Sequence, residues 1–254
     1  MLAFENISKK YGDRVILDKI TAELQPGRIT ALVGTNGSGK STLLSILSRL
    51  IEADNGSVSL YEQPLDTYKP NELAKKMSIM KQANHMDVKL TVKDLISFGR
   101  FPYSKGRLTK EDLKKVEEAI AIAELTEYQD SYIDELSGGQ RQRAFLAMII
   151  AQDTQTILLD EPLNNLDIKH SMLVMGTLRK LVNKFGKTVV IVLHEINFAS
   201  HFADYIIAMK DQKIKYHLPT QEFIHQGKLK EIFGVNFDII EHRNKKICSY
   251  FNNF

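Results

Sequence analysis

The sequence predicts an α/β fold with a parallel sheet at its core, an N-terminal antiparallel β-subdomain and an inserted helical subdomain. Three observations predict it. Residues 29–33 (Ile-Thr-Ala-Leu-Val) are a largely apolar run of buried-strand length that leads into a glycine-rich segment and then an amphipathic stretch. Residues 156–159 and 188–193 are two more such runs, as in strands buried on both faces within βαβ units. Between 85 and 136 the chain turns polar and helical in pattern.

Taken in order, residues 2–7 alternate as an N-terminal strand and 29–33 form the first buried one. A helix is expected from Lys40 to about Ile51, with Leu43, Leu44, Ile46, Leu47, Leu50 and Ile51 on its inner side. Residues 77–80 read as strand and 94–99 as helix. A charged helix follows to about Leu125, opened by Thr109 and Asp112 as a capping box. Helix resumes near Gln140 or Arg141 and runs to Ala151. After the strands at 156–159 and 188–193, residues 205–209 and 214–217 read as a hairpin. Gln212 stands in its turn, where glycine is favoured.

Composition sets bounds. A chain of 254 residues can bury a proper core. Its 34 basic and 31 acidic residues leave a net charge of +3, which gives no electrostatic case for a nucleic-acid partner. The single cysteine, Cys248, cannot form an internal disulfide, and its apolar flanks suit a small buried hydrophobe in a reducing compartment. No segment approaches the roughly 18 apolar residues of a membrane span. Residues 1–10 carry Glu5, Lys9 and Lys10 and no apolar signal core, so a cytoplasmic location is expected, with any membrane association made through a partner.

Residues 34–41 read Gly34-Thr35-Asn36-Gly37-Ser38-Gly39-Lys40-Ser41, the phosphate-binding loop pattern, and they lie between a strand and a helix as that pattern requires. This makes the fold a P-loop nucleotide-binding core. The amides of Gly37 to Ser41 are expected to wrap the β-phosphate at a helix N-terminus, with Thr42 closing the segment. Lys40 supplies a point charge to the β- and γ-phosphates, and the Ser41 hydroxyl ligates Mg²⁺. The strand at 156–159 ends in Asp160 and Glu161. Asp160 is placed to hold Mg²⁺ as the second acidic partner of a P-loop, leaving Glu161 able to act as a base toward water. The expected organisation is one domain over 1–254. It has a nucleotide-binding core at 1–84 and 137–210, a helical subdomain at 85–136, and a C-terminal hairpin and tail at 211–254.

Residues 136–140, Leu136-Ser137-Gly138-Gly139-Gln140, on the same chain as a P-loop resemble the signature of the ATP-binding cassette (ABC) family. The resemblance implies that Ser137, Gly138, Gly139 and Gln140 reach the ATP of a second cassette in a homodimer with two sandwiched nucleotides. It also assigns roles to single residues. Glu161 matches the general base. Gln82 matches the glutamine that touches Mg²⁺ or the lytic water. His194 matches the histidine that bonds the γ-phosphate, and Tyr11 the aromatic that stacks on adenine. Asp167, in Leu163-Asn164-Asn165-Leu166-Asp167, matches the aspartate that contacts the opposing subunit. His85, His170, His201, His217, His225 and His242 have no such context and no metal-ligand spacing.

Residues 95–103, 162–171, 194–200 and 229–235 are similar to the ATPases of importers for ferric siderophores, haem and vitamin B12, the ferric-siderophore branch above all. This implies an ATP-hydrolysing importer subunit at the cytoplasmic face of the membrane. Its partners would be transmembrane permeases and, indirectly, an extracytoplasmic siderophore-binding protein. The alternatives are a soluble cassette serving iron–sulfur cluster or protein assembly, or an importer of another substrate.

Overall fold

The computed structural model describes residues 1–81 and 89–251. The chain divides into two compact units, residues 1–68 with 188–254, and residues 69–187.

The first unit opens with β1 (Leu2–Tyr11) and β2 (Arg14–Leu24), an antiparallel pair whose turn holds Gly12. Leu2, Phe4 and Ile7 of β1 and Leu17, Ile20 and Leu24 of β2 are buried. Then come β3 (Ile29–Gly34), α1 (Lys40–Leu47), β4 (Asn55–Leu60) and the short β5 (Gln63–Pro64). The antiparallel sheet runs β2-β1-β4-β5. The helix expected to reach Ile51 ends at Leu47 instead. Arg49 takes the left-handed conformation (φ 59°), and its guanidinium donates to the carbonyls of Leu65 (3.1 Å) and Tyr68 (2.6 Å). The chain is thereby turned out of the helix, and Leu50, assigned to the inner face, is 47% exposed.

The second unit contains α2 (Pro70–Ala74), β6 (Met77–Met80), α3 (Val92–Phe98), α4 (Phe101–Ser104), α5 (Lys110–Ile122), α6 (Gly138–Ala151), β7 (Thr156–Leu159) and α7 (Ile168–Phe185). Strands β6 and β7 pair in parallel, while α3, α5 and α6 pack together, and Leu95, Ile96, Val116, Ile120, Ala144 and Ala147 on them are buried. Capping boxes start α3 at Thr91/Asp94, α5 at Thr109/Asp112 and α6 at Ser137/Gln140. The last of these corrects the expected start of α6. Ser137 Oγ accepts from the Gln140 amide and Gln140 Oε1 accepts from the Ser137 amide, so the helix begins at Gly138 despite two poor helix formers. Buried Arg100 ties the group together, pairing its Nε with Asp112 Oδ1 at 2.9 Å and donating Nη1 to the Ala151 carbonyl at 2.9 Å.

The chain returns to the first unit through β8 (Thr188–Val192), α8 (Ile196–Phe202), β9 (Tyr205–Lys210), β10 (Lys213–Pro219), α9 (Thr220–Phe223), α10 (Gln226–Phe233), β11 (Asp238–His242) and β12 (Lys245–Ser249). Here β3 lies between β8 and β9, parallel to both, and β10 pairs antiparallel with β9. The β9–β10 turn places Asp211 and Gln212 at φ 49° and 62°, so glutamine occupies the position that favours glycine. Its carbonyl accepts the Asp18 amide at 3.0 Å, which anchors the turn. A second hairpin, β11–β12, was not anticipated from the sequence. Cys248 on β12 is buried, and burial pushes its thiol up to about 11, as suits an inert core residue. Among the described residues no helix is long and apolar enough to cross a membrane.

Candidate functional site

In the first unit, β3 is buried along its whole length and delivers the chain into the glycine loop. Gly37 and Gly39 hold left-handed φ values of 76° and 99°. At Gly39 a side chain is doubly barred, since a Cβ would fall 2.5 Å from Leu17 Cδ2 and 2.7 Å from the Ile16 carbonyl. Helix α1 then begins at Lys40 with no side chain capping it, so its first amides are not claimed by a cap. Lys40 is 5% exposed and donates Nζ to the carbonyls of Gly34 (3.0 Å) and Thr35 (2.9 Å). The buried Ser38 Oγ has no hydrogen-bond partner among the described residues. A compact cradle of amides, a buried ammonium and an unsatisfied hydroxyl fits a polyphosphate. Thr35, Asn36 and Gly37 are exposed around its rim, and Ser41 and Thr42 are half-buried in the first turn of α1.

Two other expected residues share this unit. The parallel register pairs Leu32 with Val192, and the Leu193 amide donates to the Leu32 carbonyl at 3.1 Å. Exposed His194 therefore leaves β8 beside the point where β3 enters the loop. Tyr11 ends β1 with 53% of its surface exposed and Lys9 Nζ 5.8 Å from its ring centroid. Arg14, which the motif reading passed over, lies against the loop, its guanidinium 3.8 Å from where a Gly37 side chain would begin.

In the second unit, β7 carries the carboxylates. Asp160 is 8% exposed, with its amide bonded to the Met80 carbonyl at 2.9 Å. Glu161 sits at φ 51°, a region uncommon for non-glycine residues. Asn164 Nδ2 donates to its Oε2 at 2.5 Å, and the Asn164 amide donates to the Glu161 carbonyl at 3.2 Å. Asp167 caps α7 by accepting the His170 amide at 2.8 Å. Its carboxyl is held below the usual range by that amide and by the His170 ring. Ser137 and Gly138 are exposed at the start of α6, and Gln142 Nε2 donates to the Pro162 carbonyl at 2.8 Å. Asn164 and His170 bond partners three positions away but belong to no motif that assigns them a role, and Gln142 reaches a carbonyl 20 residues on, so none of the three has a role legible in the sequence. Gln82, expected at the site, lies outside the described residues.

The sequence profile of the ABC transporter family matches residues 17–164. The chain belongs to the ABC transporter family. Its ATPase chemistry is that of the family. This ABC chain is 51% identical over 252 residues to the petrobactin import ATP-binding protein YclP of Bacillus subtilis (strain 168), covering 99% of this chain and 100% of that one. It is 36% identical over 251 residues to the iron(3+)-hydroxamate import ATP-binding protein FhuC of the same organism, covering 97% and 93%. A dimeric ABC cassette solved in a post-hydrolysis state with ADP and Pi bound has the same fold at a TM-score of 0.76 and 31% identity, over 87% of this chain and 99% of that one.

Proposed function

We propose that this chain is the ATP-hydrolysing subunit of an importer of iron chelates, with a ferric siderophore as cargo. The near-full-length likeness to a petrobactin import subunit carries this reading. In it, two copies form a homodimer at the cytoplasmic face of the membrane. They are held there by transmembrane permeases that receive cargo from an extracytoplasmic binding protein. Residues 85–136 serve as the helical subdomain, and 1–84 with 137–210 as the nucleotide-binding core.

The roles follow from side-chain chemistry. Gly34, Thr35, Asn36, Gly37, Ser38, Gly39 and Thr42 shape the loop, whose amides hold phosphate oxygens, and Lys40 neutralises charge on the β- and γ-phosphates. Tyr11 offers its exposed ring to the adenine. Ser41, Asp160 and Gln82 are the Mg²⁺-holding set, a hydroxyl, a carboxylate and an amide oxygen of the kind a hard cation prefers. When bound, Mg²⁺ neutralises charge on the phosphates. Glu161 polarises the attacking water, with Gln82 and His194 orienting it against the γ-phosphate. Ser137, Gly138, Gly139 and Gln140 of one copy meet the nucleotide of the other at the N-terminus of α6, and Asp167 contacts the opposing copy.

The test is uptake of labelled ferric siderophores by iron-starved cells with the gene deleted. The reading expects loss of uptake for one siderophore class with others retained. Unchanged uptake of siderophores, haem and cobalamin would end the importer reading.

A further inference from the structure

The two glycines that open α6 differ in their surroundings. A Cβ built on Gly138 meets nothing within 4 Å, whereas at Gly139 it falls 2.4 Å from His170 Cγ, 2.5 Å from Cδ2 and 2.8 Å from Nδ1. Neither residue needs a left-handed backbone, so at Gly139 it is the imidazole that excludes a side chain. The ring is itself fixed. Asp167 Oδ1 lies 2.8 Å from Nδ1 and accepts the His170 amide at 2.8 Å. A carboxylate only accepts, so Nδ1 is the donor. Gln142 adds a second tie between the first turns of α6 and the segment leading to α7, through the Pro162 carbonyl at 2.8 Å.

We infer that His170 is a positioning residue for the signature loop. Its ring, locked by Asp167, is the wall against which the Gly139 backbone rests, and it sets the pose in which Ser137 to Gln140 meet a nucleotide. Gly139 is glycine because of His170. At Gly138, open on the side where a Cβ would stand, no group among the described residues excludes a side chain. The inference rests on the proposal above that this loop faces the nucleotide of a second copy.

The experiment measures ATP-driven dimerisation in a Glu161→Gln background with Mg²⁺, by size exclusion with light scattering. Binding of a fluorescent ATP analogue to the dilute monomer and the melting temperature are followed alongside. His170→Ala and His170→Asn, which lack the ring, should each weaken dimerisation at least tenfold while monomer binding stays at the parent level. His170→Phe, which keeps a ring without the donor, should restore most of it. Gly139→Ala should abolish the dimer, and Gly139→Ala/His170→Ala should recover it to the level of His170→Ala. A double variant no better than Gly139→Ala alone, or a His170→Ala that dimerises like its parent, overturns the inference. Ser137→Arg separates the two layers. If it also leaves the dimer intact, the nucleotide-facing reading of the loop fails, and otherwise a failure belongs to His170 alone.

Discussion

Asn164 donates its side-chain amide to the Glu161 carboxylate at 2.5 Å, and Glu161 holds a left-handed backbone at φ 51°. A carboxylate on a left-handed backbone, clamped by an amide three residues on, is a pre-aimed group, since both the backbone and one oxygen are fixed. Removing the clamp costs aim and leaves the carboxylate itself in place. Asn164→Ala is expected to lower kcat roughly tenfold, about 1.4 kcal/mol in the barrier, with ATP affinity retained. Steady-state hydrolysis beside equilibrium nucleotide binding checks this. A parallel loss of affinity would place Asn164 in binding instead.

Lys40 and Glu161 should separate binding from chemistry. Lys40→Ala removes the buried ammonium and is expected to abolish measurable nucleotide binding, while Glu161→Gln should keep affinity and lose turnover by orders of magnitude. The pair is read by titration with a fluorescent nucleotide and by phosphate release. Near-normal hydrolysis by Glu161→Gln would remove this residue from the mechanism.

How far these sites are legible in the sequence depends on how local their causes are. The loop from Gly34 to Ser41 is written in consecutive residues, as are the capping boxes at Thr109 and Ser137, because their partners lie three positions away. The end of α1 is not local. It depends on Arg49 reaching carbonyls at Leu65 and Tyr68. The tight neighbour of Gly139 is not local either, since it is His170, distant in sequence and outside any motif. Gln212 in the β9–β10 turn shows tertiary contact overriding local preference, because Asp18 anchors it.

The Arg100–Asp112 pair is a stability element of the second unit, with both side chains almost fully buried. Arg100→Met strands a buried carboxylate and is expected to cost about 3 kcal/mol. Arg100→Met/Asp112→Leu should recover all but about 2 kcal/mol, the remainder being the lost cap of α5 and the lost bond to the Ala151 carbonyl. Thermal and urea denaturation measure both.

The same carboxylate gives a pH dependence with a definite sign. Burial alone would raise the Asp112 carboxyl, but bonds from the Thr109 amide and hydroxyl and from Arg100 outweigh it and hold the group below its usual value. Asp153 is held low in the same way, its burial outweighed by Lys187 and Lys115. A carboxyl lowered in the folded state contributes stability that is fully present above its unfolded value, about 3.9. That contribution is lost as pH falls through the lower folded value. Melting temperature should therefore fall between about pH 4 and more acid solution, and fall less for Asp112→Asn. Equal acid sensitivity in the variant would remove Asp112 from the account.

Phe98 and Phe101, at the end of α3 and the start of α4, are 49% and 60% exposed. Core packing is therefore not their main role. Phe101→Ala should change stability by no more than about 0.5 kcal/mol. If this face docks on a permease, the variant should keep ATP hydrolysis while uptake falls. A large drop in melting temperature with uptake preserved would reverse that assignment.

Hydrolysis by this chain is proposed to power entry of an iron chelate. The most direct measurement is uptake of iron-labelled siderophore by the deletion strain, complemented with either the wild-type chain or Glu161→Gln at matched protein levels. The account predicts full uptake with the wild type and none above the deletion background with Glu161→Gln. Equal uptake with the two chains would contradict it.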